Sequence, residues 1–293
     1  MNWVLSAVGL LLIGVVVRDV FHTLFHPIGK GSVAPLVMRL VWRLLRMLPS
    51  ERRIASLTGP LGMVAVIVTW TCAAVVGWAL VYYAQMPEGV SYSDVDPAQR
   101  DDFFDALYLS LVAVSTLGFG EIVPSSATLR VAAPLEALFG FMLVTAATSW
   151  VLQIYPALHR RRVLALHLAT LRAARSADPT VSVDDLPVDV LTALTGSVVE
   201  ARNDFTQYGA TYYFRDLEAD ASLAASLTYA VELAGEACAS GQPQTRVAGG
   251  MLAAAVDSLA LLLDDEFLHL DSDQRTTESV VRAYATDHGH TAD

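Results

Sequence analysis

Ser115-Thr116-Leu117-Gly118-Phe119-Gly120-Glu121 is the stretch from which the rest of the chain is read. Two glycines alternate with larger residues directly after a threonine. Glycine reaches left-handed dihedrals without steric penalty, so this pattern permits a backbone that changes hand from residue to residue. A threonine before Gly-x-Gly also suits an ordinary turn, and the setting decides between the two readings. The preceding apolar run, 103–114, predicts a helix too short to cross a bilayer but suited to re-entering one. On either side lie longer apolar runs, 61–83 and 129–155, each sufficient to span. Backbone of irregular hand between two spans is tolerated at membrane depth where protein or ions surround it.

The composition agrees with a membrane protein that carries a soluble part. Of 293 residues, 54% are apolar and 17% charged, and the mean hydropathy is +0.46. The net charge of −11 is unevenly spread. Residues 26–53 carry six basic residues and one acid, whereas 157–293 carry ten basic and twenty acidic. The acidic segment reads as solvated and argues against a nucleic-acid partner. Cys72 and Cys238 stand in unrelated settings and suggest no disulfide.

Toward the N-terminus, a first span is predicted within residues 1–28, an uncleaved anchor rather than a signal peptide, because no basic leader precedes its apolar run. Asp19 and His22 are three apart near its end, which suits either a pH-sensitive pair or a structural polar contact. Residues 29–58 hold a basic amphipathic helix with Leu36, Leu40 and Leu44 at helical spacing and Arg39, Arg43 and Arg46 among them. It is expected on the membrane surface, either passive or coupling the first span to the pore-like region. The basic loops place the N-terminus outside and the C-terminus in the cytoplasm by the positive-inside rule. Glu88, Asp94, Asp96, Asp101 and Asp102 make the loop 85–102 acidic and outward-facing. Glu136 lies inside the span 129–155, where a carboxylate is costly unless paired, hydrated or protonated.

Residues 60–156 resemble the pore domain of bacterial two-transmembrane potassium channels: outer helix, pore helix 103–114, filter 116–120, inner helix 129–155. The resemblance places a pore domain at 59–156. It implies that Thr116, Leu117, Gly118, Phe119 and Gly120 form a selectivity filter, with K+ held at Thr116, Leu117, Gly118 and Phe119. In the Thr-Val-Gly-Tyr-Gly filter of potassium channels, backbone carbonyls replace the hydration shell of the ion. Here Leu117 and Phe119 stand at the valine and tyrosine positions, and Glu121 stands where aspartate is common. Some relatives carry a glutamate behind the filter; Val112 occupies that place. One loop cannot encircle an ion, so a homotetramer is implied. Asp105, Glu121 and Glu136 are candidate filter supports. Leu138, Gly140, Phe141, Thr145 and Ser149 are candidates for cavity or gate, Gly140 as a hinge or a close-packing point. No charged voltage-sensing helix is present.

Residues 157–185 are expected to link the pore to a cytoplasmic helical domain at 186–293, with Leu158 to Arg175 continuing the inner helix. Helices are predicted at about 187–207, 216–239, 244–268 and 275–286. Tyr208, Tyr212, Tyr213 and Phe214 suit a core, an interface or a pocket. The acids 264–266, 271 and 273 lack the calcium-loop pattern. Phosphate loops and nucleophile–base spacings are absent, which argues against an enzyme. The expectation is an all-α membrane protein: a tetrameric potassium-channel-like pore with an additional N-terminal transmembrane helix and a cytoplasmic bundle. It would be a multi-pass protein of the bacterial inner membrane, with the lipid bilayer and an unidentified cytoplasmic ligand or protein as partners, and no organic cofactor. The alternatives are a weakly selective cation channel, or a membrane-anchored regulatory protein with a non-conducting pore.

Overall fold

The computed structural model describes residues 3–25, 31–47, 57–93, 102–271 and 275–290. The chain is mostly helical: α1 (Trp3–Leu24), α2 (Val33–Met47), α3 (Thr58–Tyr83), α4 (Phe103–Val114), α5 (Ala127–Ala177), α6 (Val188–Gln207), α7 (Leu223–Cys238), α8 (Pro243–Leu263) and α9 (Thr277–Asp287), with strands β1 (Val90–Tyr92) and β2 (Ile122–Pro124). Four helical stretches, Trp3–Leu24, Thr58–Tyr83, Ala127–Ala177 and Pro243–Leu268, are long and apolar enough to cross a membrane. Two compact units result: Met1–Met38 with Met63–Leu152, and Arg39–Gly62 with Gln153–Asp293.

The first unit is held by close packing and polar ties, the forces that remain between helices when lipid competes for apolar surface. A Cβ on Gly77 would lie 2.9 Å from the Gly9 carbonyl oxygen and 2.9 Å from Ile13 Cγ1, so α1 and α3 meet backbone to backbone. Ile13, Trp78, Tyr82, Ala106, Leu109 and Leu129 form the buried cluster beside β1. The Trp150 ring packs 5.6 Å from that of Trp70, between helices rather than at an interface with solvent. Asp19, 2% exposed, does not act through the local His22 spacing alone. One of its oxygens accepts from the Ser32 and Val33 N–H groups at 2.5 and 2.7 Å, the other from Ala34 N–H at 3.1 Å and Trp70 Nε1 at 2.8 Å. It thereby caps the start of α2, whose first N–H groups have no helical acceptor.

In the second unit α8 is the central helix. Its buried stripe, Ala248, Leu252, Val256, Leu259 and Leu263, packs with α6, α7 and α9. The apolar content that makes 243–268 long enough to span is thus that of a helix buried within a bundle. Leu158 to Arg175, expected to continue the inner helix, lie within α5, which runs uninterrupted to Ala177 with Leu164, Ala165 and Leu168 fully buried. The helix expected from 216 begins only at Leu223. The segment before it is tied to Arg161, 4% exposed, which donates to the Thr211 and Phe214 carbonyls at 2.6 and 2.8 Å and to Asp216 at 3.0 Å. The Thr211 carbonyl also accepts from the Phe214 N–H at 3.2 Å, and the 3-10 turns Gly209–Tyr213 and Ala219–Ala221 stand where α-helix was expected to begin. Arg160 adds a fork to Asp204 and Arg162 a contact to Asp216. The basic run 160–162, expected in the continuation of the inner helix, is engaged in the bundle.

Tyr212, Tyr213 and Phe214 are buried, the first two against Trp42, with Tyr212 stacked at 4.2 Å on Phe267 and in edge contact with His288. They are core, not a pocket. Burial pushes the Tyr213 and Tyr284 phenols up to about 12 and the His288 imidazole down to about 3, leaving these rings uncharged at neutral pH. Arg215 lies over the Trp42 ring at 4.3 Å, and Arg46 pairs with Asp287. Asp264 accepts from Leu270 N–H and pairs with Arg275 at 3.0 Å, closing the end of α8. Among the described residues, no cluster of acids, histidines and cysteines could hold a metal, and Cys72 and Cys238 are free; Asp273 lies outside the described residues.

Removing Arg161 takes away the donor to the Phe214 carbonyl, a second donor to the Thr211 carbonyl and one of the two guanidinium groups beside the buried Asp216 carboxylate. Arg161→Met is expected to destabilise the second unit by about 3–5 kcal/mol, read as a lowered unfolding midpoint of the full-length protein in detergent. An unchanged midpoint would assign the clamp no net role.

Candidate functional site

The site begins with α4. Its N-cap is Asp102, whose carboxylate accepts from the Asp105 N–H at 3.0 Å, and its twelve residues stop at Ser115. Two hydrogen bonds end the helix: Thr116 N–H donates to Ala113 O and Leu117 N–H to Val112 O, each at 3.0 Å. Beyond this point the backbone changes hand. Thr116, Gly118 and Gly120 have φ of 57°, 59° and 85°, while Leu117 and Phe119 between them do not have positive φ. Alternating hand turns successive carbonyls toward one side of the strand. Gly118 and Gly120 adopt this at no steric cost, whereas Thr116, which is β-branched, adopts it against its preference.

The far end of the segment is fixed by a two-stranded ladder. β1 and β2 pair antiparallel, with Val90 opposite Pro124, Ser91 opposite Val123 and Tyr92 opposite Ile122, and Ser93 N–H donates to Glu121 O at 2.9 Å. Between these two anchors residues 115–121 are exposed throughout, with Leu117 60% and Phe119 63% exposed in the single chain. The acidic loop residues Asp94, Asp96 and Asp101 lie outside the described residues.

The three candidate support acids do not form one cluster. Glu121 is exposed and accepts from the Tyr108 hydroxyl at 3.0 Å. Asp105 is buried in the first turn of α4. Glu136 is 0% exposed, and its two oxygens lie 2.5 Å from Tyr82 Oη and 2.5 Å from Ser110 Oγ. Ser110 Oγ also lies 3.0 Å from the Val75 carbonyl oxygen. One carboxyl therefore joins α3, α4 and α5. The sequence marks Glu136 by its cost in a membrane but gives no pointer to Tyr82; for Ser110, a serine within the apolar run 109–114 is the available signal.

Along α5 the candidate cavity or gate residues divide between two faces. Leu138, Phe141, Thr145 and Ser149 recur at spacings of three and four and are all exposed. Thr145 Oγ1 donates to Phe141 O, a bond within its own helix. Gly140 belongs to the opposite, buried face with Glu136, Leu143, Ala147 and Trp150. A Cβ on Gly140 would lie 2.8 Å from Val114 Cγ2 and would also meet the Val114 carbonyl. Gly140 is thus the point where the end of α4 rests on α5. Gly140→Ala is expected to shift that end and to destabilise the first unit by about 1–3 kcal/mol, seen as a lowered unfolding midpoint; an unaffected midpoint would count against the contact.

Residues 65–155 match the family model described as "Ion channel". The match covers the segment from α3 through the first half of α5 and leaves the second unit largely outside it. The chain is also similar to the uncharacterized membrane protein YdjJ of Bacillus subtilis (strain 168), at 23% identity over 165 residues, 56% of this chain and 48% of that protein. It thus spans about half the length of this relative. No solved structure matches.

Proposed function

We propose that the protein conducts K+ passively through a homotetrameric pore, with residues 116–120 of each chain contributing one quarter of the selectivity filter. The observation that carries this reading is the alternation of positive φ at Thr116, Gly118 and Gly120 in an exposed segment. Oxygens turned to one side supply a ring of ligands only when several copies surround an axis. The exposed stripe Leu138, Phe141, Thr145 and Ser149 would then line the inner cavity, and Glu121 would lie at the outer mouth with Tyr108. The N-terminus would lie outside and the second unit in the cytoplasm of a bacterial cell, where a ligand or protein would bias the spacing of the inner helices. The ion-channel match supports the class of activity and leaves the selected ion open.

Leu117 and Phe119, at positions where potassium channels more often carry valine and tyrosine, favour a second reading of weak cation selectivity. Flux of K+ and Na+ through protein in liposomes separates the two, with barium as blocker. The expected result is barium-sensitive flux favouring K+, lost in Gly118→Ala and Gly120→Ala while the oligomer persists, because alanine at φ of 59° or 85° is strained by about 1–2 kcal/mol per residue. Equal K+ and Na+ flux would establish the second reading. Selective flux that survives both substitutions would overturn the filter assignment.

A further inference from the structure

We infer that Glu136 is a neutral carboxylic acid that acts as a proton donor, and that this proton positions α4, the helix on which residues 116–120 are carried. The hydrogens available at the cluster decide the matter. Ser110 Oγ has two oxygen neighbours, the Val75 carbonyl at 3.0 Å and Glu136 Oε1 at 2.5 Å. A carbonyl oxygen can only accept, and a hydroxyl carries one hydrogen. When that hydrogen is given to Val75, the bond between Ser110 and Glu136 requires a hydrogen from the carboxyl. Tyr82, whose hydroxyl lies 2.5 Å from Oε2, then donates to the carbonyl oxygen of the same acid. The result is a directed chain in which every contact has one hydrogen: Tyr82 donates to Glu136, Glu136 to Ser110, and Ser110 to Val75.

An ionised Glu136 breaks this chain. Ser110 would have to turn its hydrogen to the carboxylate, leaving its contact with Val75 as two facing acceptors. The charge would also lie without a cation on the elements that pack here. The hydrogen-bond partners of Glu136 among the described residues are the two hydroxyls, and the sole basic residue within 57–93 and 102–155 is Arg130, exposed and six positions earlier on α5. Tyr82 on α3 is the titratable group that faces it; on α4, Asp105 lies five residues before Ser110, in the first turn of that helix. A fully buried anion served by two neutral donors carries a desolvation cost that the neutral acid avoids.

The proton therefore holds three helices in one arrangement, and Glu136 is a positioning residue for the filter segment. This assignment rests on the geometry of α3, α4 and α5 and is tested without reference to conduction. Infrared difference spectra of full-length wild type against Glu136→Gln, in lipid at neutral pH, are the measurement. The expected result is loss of one carbonyl stretch of a protonated carboxyl, with Asp19 and Asp105 cancelling in the difference. Loss of the paired carboxylate bands instead would overturn the inference.

Tyr82→Phe supplies a second test that keeps the acid in place. Removing the donor to its carbonyl oxygen should move the same band to higher wavenumber, and an unmoved carbonyl region would overturn the assignment. Glutamine can copy the neutral acid, with its amide donating to Ser110 and its carbonyl accepting from Tyr82. Glu136→Gln is accordingly expected to retain the wild-type unfolding midpoint while Glu136→Leu lowers it. Equal loss in both variants would mean that the neutral form is not the one being held.

Discussion

Lipid gives helices little reason to associate, since a leucine is as well solvated by acyl chains as by another helix. Against that background the meeting of Tyr82, Ser110 and Glu136 is the interaction on which the first unit depends. Each belongs to a different helix, and each offers a polar group that lipid cannot satisfy. Ser110 lies four residues before the end of α4, so fixing it fixes where that helix stops. The Gly140–Val114 contact supports the same helix end from α5. The strand pair β1 and β2 holds the other end of the 115–121 segment. Those residues are thus positioned from their two ends, with no side-chain cover of their own.

The second unit obeys a different rule, because its apolar side chains are buried within a helical bundle. Its core is ordinary in composition, and fully burying a leucine such as Leu252 or Leu259 contributes about 1.5–3 kcal/mol. The informative feature is its handling of charge. Arg160, Arg161 and Arg162 are consecutive and so diverge around α5, and each finds an acceptor there: Asp204, then the 211–216 segment, then Asp216. Arg161 is the most committed of the three because it is buried and its partners include two backbone carbonyls as well as a carboxylate.

Legibility from sequence divided along physical lines. The 115–121 segment was readable because its signature is local: positive φ demands glycine, and the glycines are visible at 118 and 120. Thr116, the third left-handed position, carries no such mark. Spans and amphipathic stretches were readable because they depend on composition over a helix length. Asp19 was not, since its three backbone N–H partners lie 13 to 15 residues away across a chain reversal, while the nearby His22 offered a simpler spacing. The partners of the basic run 160–162 were not readable for the same reason, since they lie 44 to 54 residues distant. In α2 the leucine stripe was expected against the membrane surface, and its spacing did not mark a second, packed face. The structure buries Ala34, Met38 and Trp42 and leaves Leu36, Leu40 and Leu44 outward. Small size and one aromatic ring suit close packing better than three branched leucines do, and periodicity alone does not distinguish two apolar stripes on one helix.

The faces left uncovered bear on the assembly. At membrane depth an exposed peptide group without a partner costs several kcal/mol, so irregular backbone is stable there only within protein or against water and ions. Residues 115–121 present such backbone with Leu117 and Phe119 exposed beside it, and the Leu138–Ser149 stripe of α5 is equally bare. Lipid would accept the leucines and the phenylalanines but not the carbonyls. In the proposed ring of copies each group would have the surroundings it requires, with side chains against neighbouring chains and carbonyls toward a hydrated axis. Closed cyclic symmetry repeats one interface and leaves no copy with an open edge. The same backbone that makes the segment a candidate ion site thus makes an isolated chain a poor occupant of the bilayer, and the proposed tetramer answers both requirements with one arrangement.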